Sequence, residues 1–216
     1  MKPRFSHQQT TALTLSEVLV IIAVLAILWA LLMPALFAAK RKPQKINCIA
    51  NLKQIGVAFR LWEGDNGDKY PMAVSATNGG AMELVATGNV AACFQVMSNE
   101  LSIPKILHCP ADTGRIAATN FTTGFSGANI SYFLIPDAVE TYPQMILDGD
   151  DNLLVDGKRV QSGIINLWTN SHVGWTKDRH QGIGNVGMAD GSVQQVTNEG
   201  FKWTAAPGAT NRLLIP

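Results

Sequence analysis

Residues 13–39 read LTLSEVLVIIAVLAILWALLMPALFAA, and the rest of the chain is organised around them. The 22 residues from Val18 to Ala39 carry no charged side chain. As a helix rising about 1.5 Å per residue they would be about 33 Å long, enough to cross the hydrocarbon core of a bilayer. Glu17 stands at the N-terminal edge of the run. A carboxylate costs about 2.5–3.5 kcal/mol at mid-membrane, whereas at a helix N-terminus it favours the dipole.

On the N-terminal side lies MKPRFSHQQTTA, residues 1–12, short, polar and basic through Lys2 and Arg4. A removable secretory signal also begins this way, but its apolar core is about 7–15 residues and ends in a small-x-small cut site. Here Leu36-Phe37-Ala38 and Phe37-Ala38-Ala39 both put a large residue at the outer small position, so an anchor is the better reading. On the C-terminal side, residues 40–63 continue the helix in amphipathic form. Ile46, Ile49, Leu52, Ile55, Phe59 and Trp62 recur at steps of three and four, while Lys45, Lys53, Gln54 and Arg60 lie off that stripe. Pro34 and Pro43 are expected to kink the rod, and Gly64-Asp65-Asn66-Gly67-Asp68 to stop it.

The run Ala12-Leu13-Thr14-Leu15-Ser16-Glu17 resembles the processing site of type IV prepilins and type II secretion pseudopilins. Those carry a basic leader, a Gly before the cut, a hydrophobic residue, Thr-Leu, and a Glu five residues after the cut. The resemblance implies cleavage between Ala12 and Leu13 and N-methylation of Leu13 by a prepilin peptidase. It makes Glu17 the fifth mature residue and Pro34 the twenty-second, where the family often has a proline. Ala12 departs from the usual Gly, and Leu13 from the usual Phe. The positive-inside rule alone would use Lys40, Arg41, Lys42 and Lys45 to hold the C-terminal part in the cytoplasm. The resemblance implies the opposite, with a cytoplasmic N-terminus and a periplasmic head on a single-pass inner-membrane protein, and the motif is the more specific signal.

The rest of the 216 residues leave room for one further domain, residues 64–216. A net charge of +1 with 15 % charged residues points away from a nucleic-acid partner. Met82–Val85 and Ala91–Met97 read as helical turns, and Ile106–Pro110 and Ile130–Leu134 as strands. Residues 144–147, 153–155 and 164–168 are further short apolar runs. Asp190-Gly191 lies between two alternating runs in Asn185–Val196, which reads as a two-residue hairpin with both turn residues at positive φ. The implied fold class is α+β and pilin-like: a long N-terminal helix packed on a small antiparallel sheet.

His180 precedes Asp190-Gly191 by nine intervening residues, which looks like the H-x9-DG motif of a pseudopilin-like bacterial family with a prepilin N-terminus. That family also commonly shows Cys48 with Asn51-Leu52-Lys53-Gln54-Ile55-Gly56, the pair Cys109-Pro110, and Ser131-Tyr132, as they stand here. Read as chemistry, His180 caps a turn or bonds the Asp190 carboxylate. Three cysteines allow one disulfide and one leftover thiol; Cys109 reads as half of a disulfide, with Cys48 or Cys93 as its partner, or as a buried thiol. Asp148, Asp150 and Asn152 have one-three-five calcium-loop spacing, but Leu153 and Arg159 occupy the Gly and Glu positions of an EF-hand. An irregular calcium loop from Asp148, Asp150, Asp151 or Asp156 is the weaker reading against a solvated turn, and no other cofactor is expected. His108 and Cys109, adjacent on an expected strand, point to opposite faces and make no nucleophile–base pair. No phosphate loop, zinc signature or Ser-His-Asp arrangement is found, so an enzyme is not expected.

Two functions follow. The first is a structural subunit, a pseudopilin or minor pilin, assembling through its helix with other such subunits on an inner-membrane platform. The second is an unprocessed, single-span anchored envelope or binding protein.

Overall fold

The computed structural model describes residues 14–168, 171–199 and 211–216, the side chains at 35, 37–43 and 211 excepted. The cut site at Ala12 and Leu13 lies outside the described residues. The chain divides into two compact units at residues 42 and 43.

Helix α1 spans Leu15–Asp65. It is not broken at Pro34 or Pro43, because a proline removes one helical hydrogen bond and the turns on either side keep theirs. In the first unit, every described residue from Thr14 to Pro34 is exposed. Leu15–Pro34 is long and apolar enough to cross a membrane. In the second unit, the buried stripe is Cys48, Leu52, Ile55, Phe59 and Trp62, with Ala58 beside it. Ile46, which the periodicity placed on the stripe, is 63 % exposed. It lies six residues from Leu52, about 1.7 turns, and so faces elsewhere. The helix ends where expected: Asp68, at φ 57, and Asn66 both donate backbone N–H groups to the Glu63 carbonyl.

After α1 come the short helices α2 (Met82–Val85), α3 (Val90–Val96) and α4 (Ser98–Leu101). The strands are β1 (Tyr132–Leu134), β2 (Ile146–Asp150), β3 (Leu153–Val155), β4 (Lys158–Arg159), β5 (Gly163–Leu167), β6 (Val173–Trp175), β7 (Ile183–Met188), β8 (Val193–Thr197) and β9 (Asn211–Ile215). They build an antiparallel sheet in the order β5-β9-β1-β2-β7-β8 and a smaller one, β4-β3-β6. β1 and β2 are buried throughout, as central strands covered on both faces must be. One cluster of buried side chains joins the α1 stripe to α3 and to β1, β2, β7 and β9.

Three expectations are corrected. Residues 106–110 are not a strand: Pro104–Leu107 is a 3-10 turn, started by the fixed φ of Pro104. β1 begins at Tyr132 because Ile130 still closes the preceding 3-10 turn onto the Gly127 carbonyl. The Asp190-Gly191 hairpin exists, since β7 pairs β8, but its loop has three residues. Gly191 N–H donates to the Met188 carbonyl at 2.9 Å, and Met188 N–H donates to the Ser192 carbonyl at 2.8 Å. Only Gly191, at φ 79, is left-handed, so this is a tight turn followed by a glycine bulge. The two-residue hairpin of the expected kind lies elsewhere, at Asp156-Gly157, with φ 50 and 76, joining β3 to β4.

Candidate functional site

The motif residues converge where the second half of α1 meets the sheet. Cys48, in the first turns of that half, is bonded to Cys109, which follows the Pro104 turn; the two Cα atoms are 5.2 Å apart. This settles the alternative in favour of Cys48. Cys93 is a buried free thiol on α3, and burial pushes it up to about 12. One turn beyond Cys48, Asn51 donates through Nδ2 to the His108 carbonyl at 2.9 Å and to Tyr132 Oη at 3.4 Å. Gly56 lets the Asp190-Gly191 loop sit directly on the helix. A Cβ there would come within 3.2 Å of Gly191 Cα. Tyr70 Oη donates to the Ala189 carbonyl at 2.6 Å and pins the same loop from the other side.

His180 does not meet Asp190. Its Nε2 lies 3.3 Å from Cys109 Sγ and 3.7 Å from Asp150 Oδ2. Asp190 instead accepts from Ser192 N–H at 2.8 Å at the surface. The reason is positional: the histidine sits in a left-handed turn (φ 50) before β7, at the opposite end of that strand from Asp190. Burial, then the neighbouring Arg179 and Lys45, lower the His180 pKa to about 4, so the ring is neutral. Asp150 Oδ2 accepts from Asn185 N–H at 2.9 Å and Nδ2 at 2.8 Å, while Oδ1 is buried with no hydrogen-bond partner. Burial raises Asp150 to about 6 against the opposing pull of Arg179 and Asn185.

Beside this cluster runs a partly buried ionic network that residue spacing did not reveal. Arg179 pairs with Asp151 and, at 3.4 Å, with Asp112, and it donates to the Ser131 carbonyl at 3.1 Å. Arg115 adds bonds to Asp151 at 2.5 Å and to Asp112 at 3.1 Å. Burial alone would raise Asp112, but Arg179, then the Ser131 hydroxyl and other donors, reverse the sign and lower it. The network borders an open cleft of about 540 Å³ that also touches Arg159, Asp178 and Pro216. Its arginines are all paired, which leaves no free cationic cradle among them. Adjacent Ser131-Tyr132 and Asp150-Asp151 were visible in the sequence; the distant Arg115 and Arg179 carried no pattern to find them by.

The four weighed calcium ligands do not form one loop. Asp148 and Asp150 are buried on β2, Asp151 is held by the two arginines, and Asp156 accepts His172 N–H at 2.8 Å in the β3–β4 turn. Both Asp148 oxygens are buried, and burial and then Asp150 raise the carboxyl to about 8 against a weaker pull from the Gly187 N–H. His108 bonds the Asp112 and Arg115 carbonyls at 3.2 Å each, away from Cys109.

At the other end of the chain, Glu17 closes a capping box. Its carboxylate accepts Thr14 N–H at 2.7 Å and the Thr14 hydroxyl at 2.8 Å. The T-x-x-E spacing is a local signal from which this cap could have been read. Pro34, the other assembly candidate, is exposed at the end of the apolar span. No family model, no curated protein and no solved structure matches this chain.

Proposed function

We propose that the chain is a pseudopilin or minor pilin: a membrane-held subunit processed after Ala12, methylated on Leu13, and assembled into a filament through its N-terminal helix. The observation that carries this reading is the fully exposed apolar segment Leu15–Pro34, bearing a single carboxylate at Glu17 in a Thr-Leu-Ser-Glu context. Exposed apolar surface on this scale calls for lipid or for other helices. In a filament, Glu17 surrounded by apolar helices requires a cationic partner, and the free α-amino group of a neighbour's Leu13 supplies one. A subunit out of register would strand that charge, so the pair sets the axial step. The head lies in the periplasm, where the Cys48–Cys109 bond is at home. Its partners are the prepilin peptidase, sister subunits and the inner-membrane platform.

The second reading, an unprocessed single-span anchor, draws on Lys40, Arg41, Lys42 and Lys45 after the span. Intact mass and N-terminal sequence of the membrane-extracted protein separate the two. A chain that begins at methylated Leu13 supports the filament subunit. A chain that still begins at Met1 in cells holding the peptidase overturns it and leaves the anchor.

A further inference from the structure

We infer that the chain, with its disulfide reduced, binds one thiophilic divalent cation of the Zn²⁺ class through Cys48 Sγ, Cys109 Sγ, an Asp150 carboxylate oxygen and His180 Nε2. These four donor atoms all lie within 4.8 Å of one another. A tetrahedral zinc site, with Zn–S about 2.3 Å and Zn–N about 2.0–2.1 Å, has ligand–ligand edges of about 3.3–3.8 Å. The His180 Nε2 separations, 3.3 Å to Cys109 Sγ and 3.7 Å to Asp150 Oδ2, already fall in that range.

The surroundings fit a cation rather than a simple packing contact. Asp150 is wholly buried and its Oδ1 lacks a partner, an arrangement that costs energy unless something positive satisfies it. Asn185 fixes the Asp150 carboxylate with two N–H groups, and Gln195 Nε2 in turn holds Asn185 Oδ1 at 3.1 Å. Supporting hydrogen bonds of this kind orient metal ligands. The His180 side chain is 2 % exposed, so its Nε2 meets the other three donors and not solvent. Two thiolates and one carboxylate around a divalent ion leave one negative charge, set beside the Arg179 guanidinium. The donors come from α1, the segment after the Pro104 turn, β2 and the turn before β7. Disulfide and metal are thus alternative ways to close the same joint between helix and sheet.

The exchange balances. A dithiol reductant delivers two electrons and two protons to the Cys48–Cys109 bond and becomes a disulfide itself. Cation binding then displaces the two thiol protons to solvent. The inference stands whether or not the N-terminus is processed.

The test uses the full chain in detergent, reduced with dithiothreitol, desalted without oxygen and titrated with Co²⁺. One Co²⁺ per chain is expected, with thiolate-to-cobalt charge-transfer absorption that Zn²⁺ abolishes. The oxidised chain gives no such band. His180→Ala and Asp150→Asn should weaken binding at least about tenfold, while Cys93→Ser binds as the parent does. Absence of the band in the reduced chain, or an unchanged titration in His180→Ala, overturns the inference. A second measurement needs no variant: Zn²⁺ should slow iodoacetamide alkylation of Cys48 and Cys109 at least about tenfold, reversibly with a chelator, as ligation ties up thiolates. Equal alkylation rates with and without Zn²⁺ also overturn it.

Discussion

Asp148 shows how a single residue sets a pH dependence. In the folded chain its carboxyl titrates near 8, raised by burial and then by Asp150; an unfolded aspartate titrates near 3.9. Between those values the folded state holds a proton that the unfolded state has released, so this group's contribution to stability falls as pH rises from about 4 to 8. Asp148→Asn cannot ionise. Its stability relative to the parent should therefore improve by roughly 3–4 kcal/mol between pH 5 and pH 8. Urea unfolding at the two pH values measures this, and parallel curves for parent and variant would refute it. Gly191 acts through its backbone: at φ 79, against Gly56, Gly191→Ala should cost about 1–2 kcal/mol. An unchanged urea midpoint would mean that the loop relaxes freely.

Among elements, α1 carries two jobs on one helix. Its second half is tied to the sheet by Cys48–Cys109, whose members are 61 residues apart. Replacing both by Ser should lower stability by about 2–4 kcal/mol, read by urea unfolding under oxidising conditions. Its first turn is capped by Thr14 and Glu17, contacts that contribute about 0.5–2 kcal/mol to a helix end. Glu17→Ala should therefore leave membrane insertion intact. Under the proposed function it should still abolish most filament incorporation, measured by pull-down with tagged sister subunits. Normal incorporation would reduce Glu17 to a cap.

For the whole molecule, the division at residues 42 and 43 carries its own consequence. The second unit has a continuous buried core from Cys48 to Ile215 and its own disulfide. A fragment of residues 43–216 should fold in the absence of lipid and unfold in one cooperative transition, with near-ultraviolet circular dichroism as the check. A broad, non-cooperative melt would show that the apolar span is part of the folding unit.

The sequence by itself determined the elements whose signal is local. An uncharged run long enough for a bilayer, a three-four apolar stripe ending at Trp62, a glycine-rich helix stop and a Cys-limited choice of disulfide all follow from spacing and composition. Tertiary structure alone decided which contacts close over distance. It chose Cys48 over Cys93, because α1 lies against the segment holding Cys109 while Cys93 is buried within α3. It gave His180 to Asp150 rather than to Asp190, because β7 carries the two motif ends apart. It placed the last strand, β9, between β5 and β1, and the two-residue turn at Asp156-Gly157 rather than Asp190-Gly191. Helical periodicity and turn residues act over a few positions and can be read along the chain. Strand partners, buried ion pairs and ligand clusters are fixed by which surfaces pack, and packing joins residues that the chain itself keeps far apart.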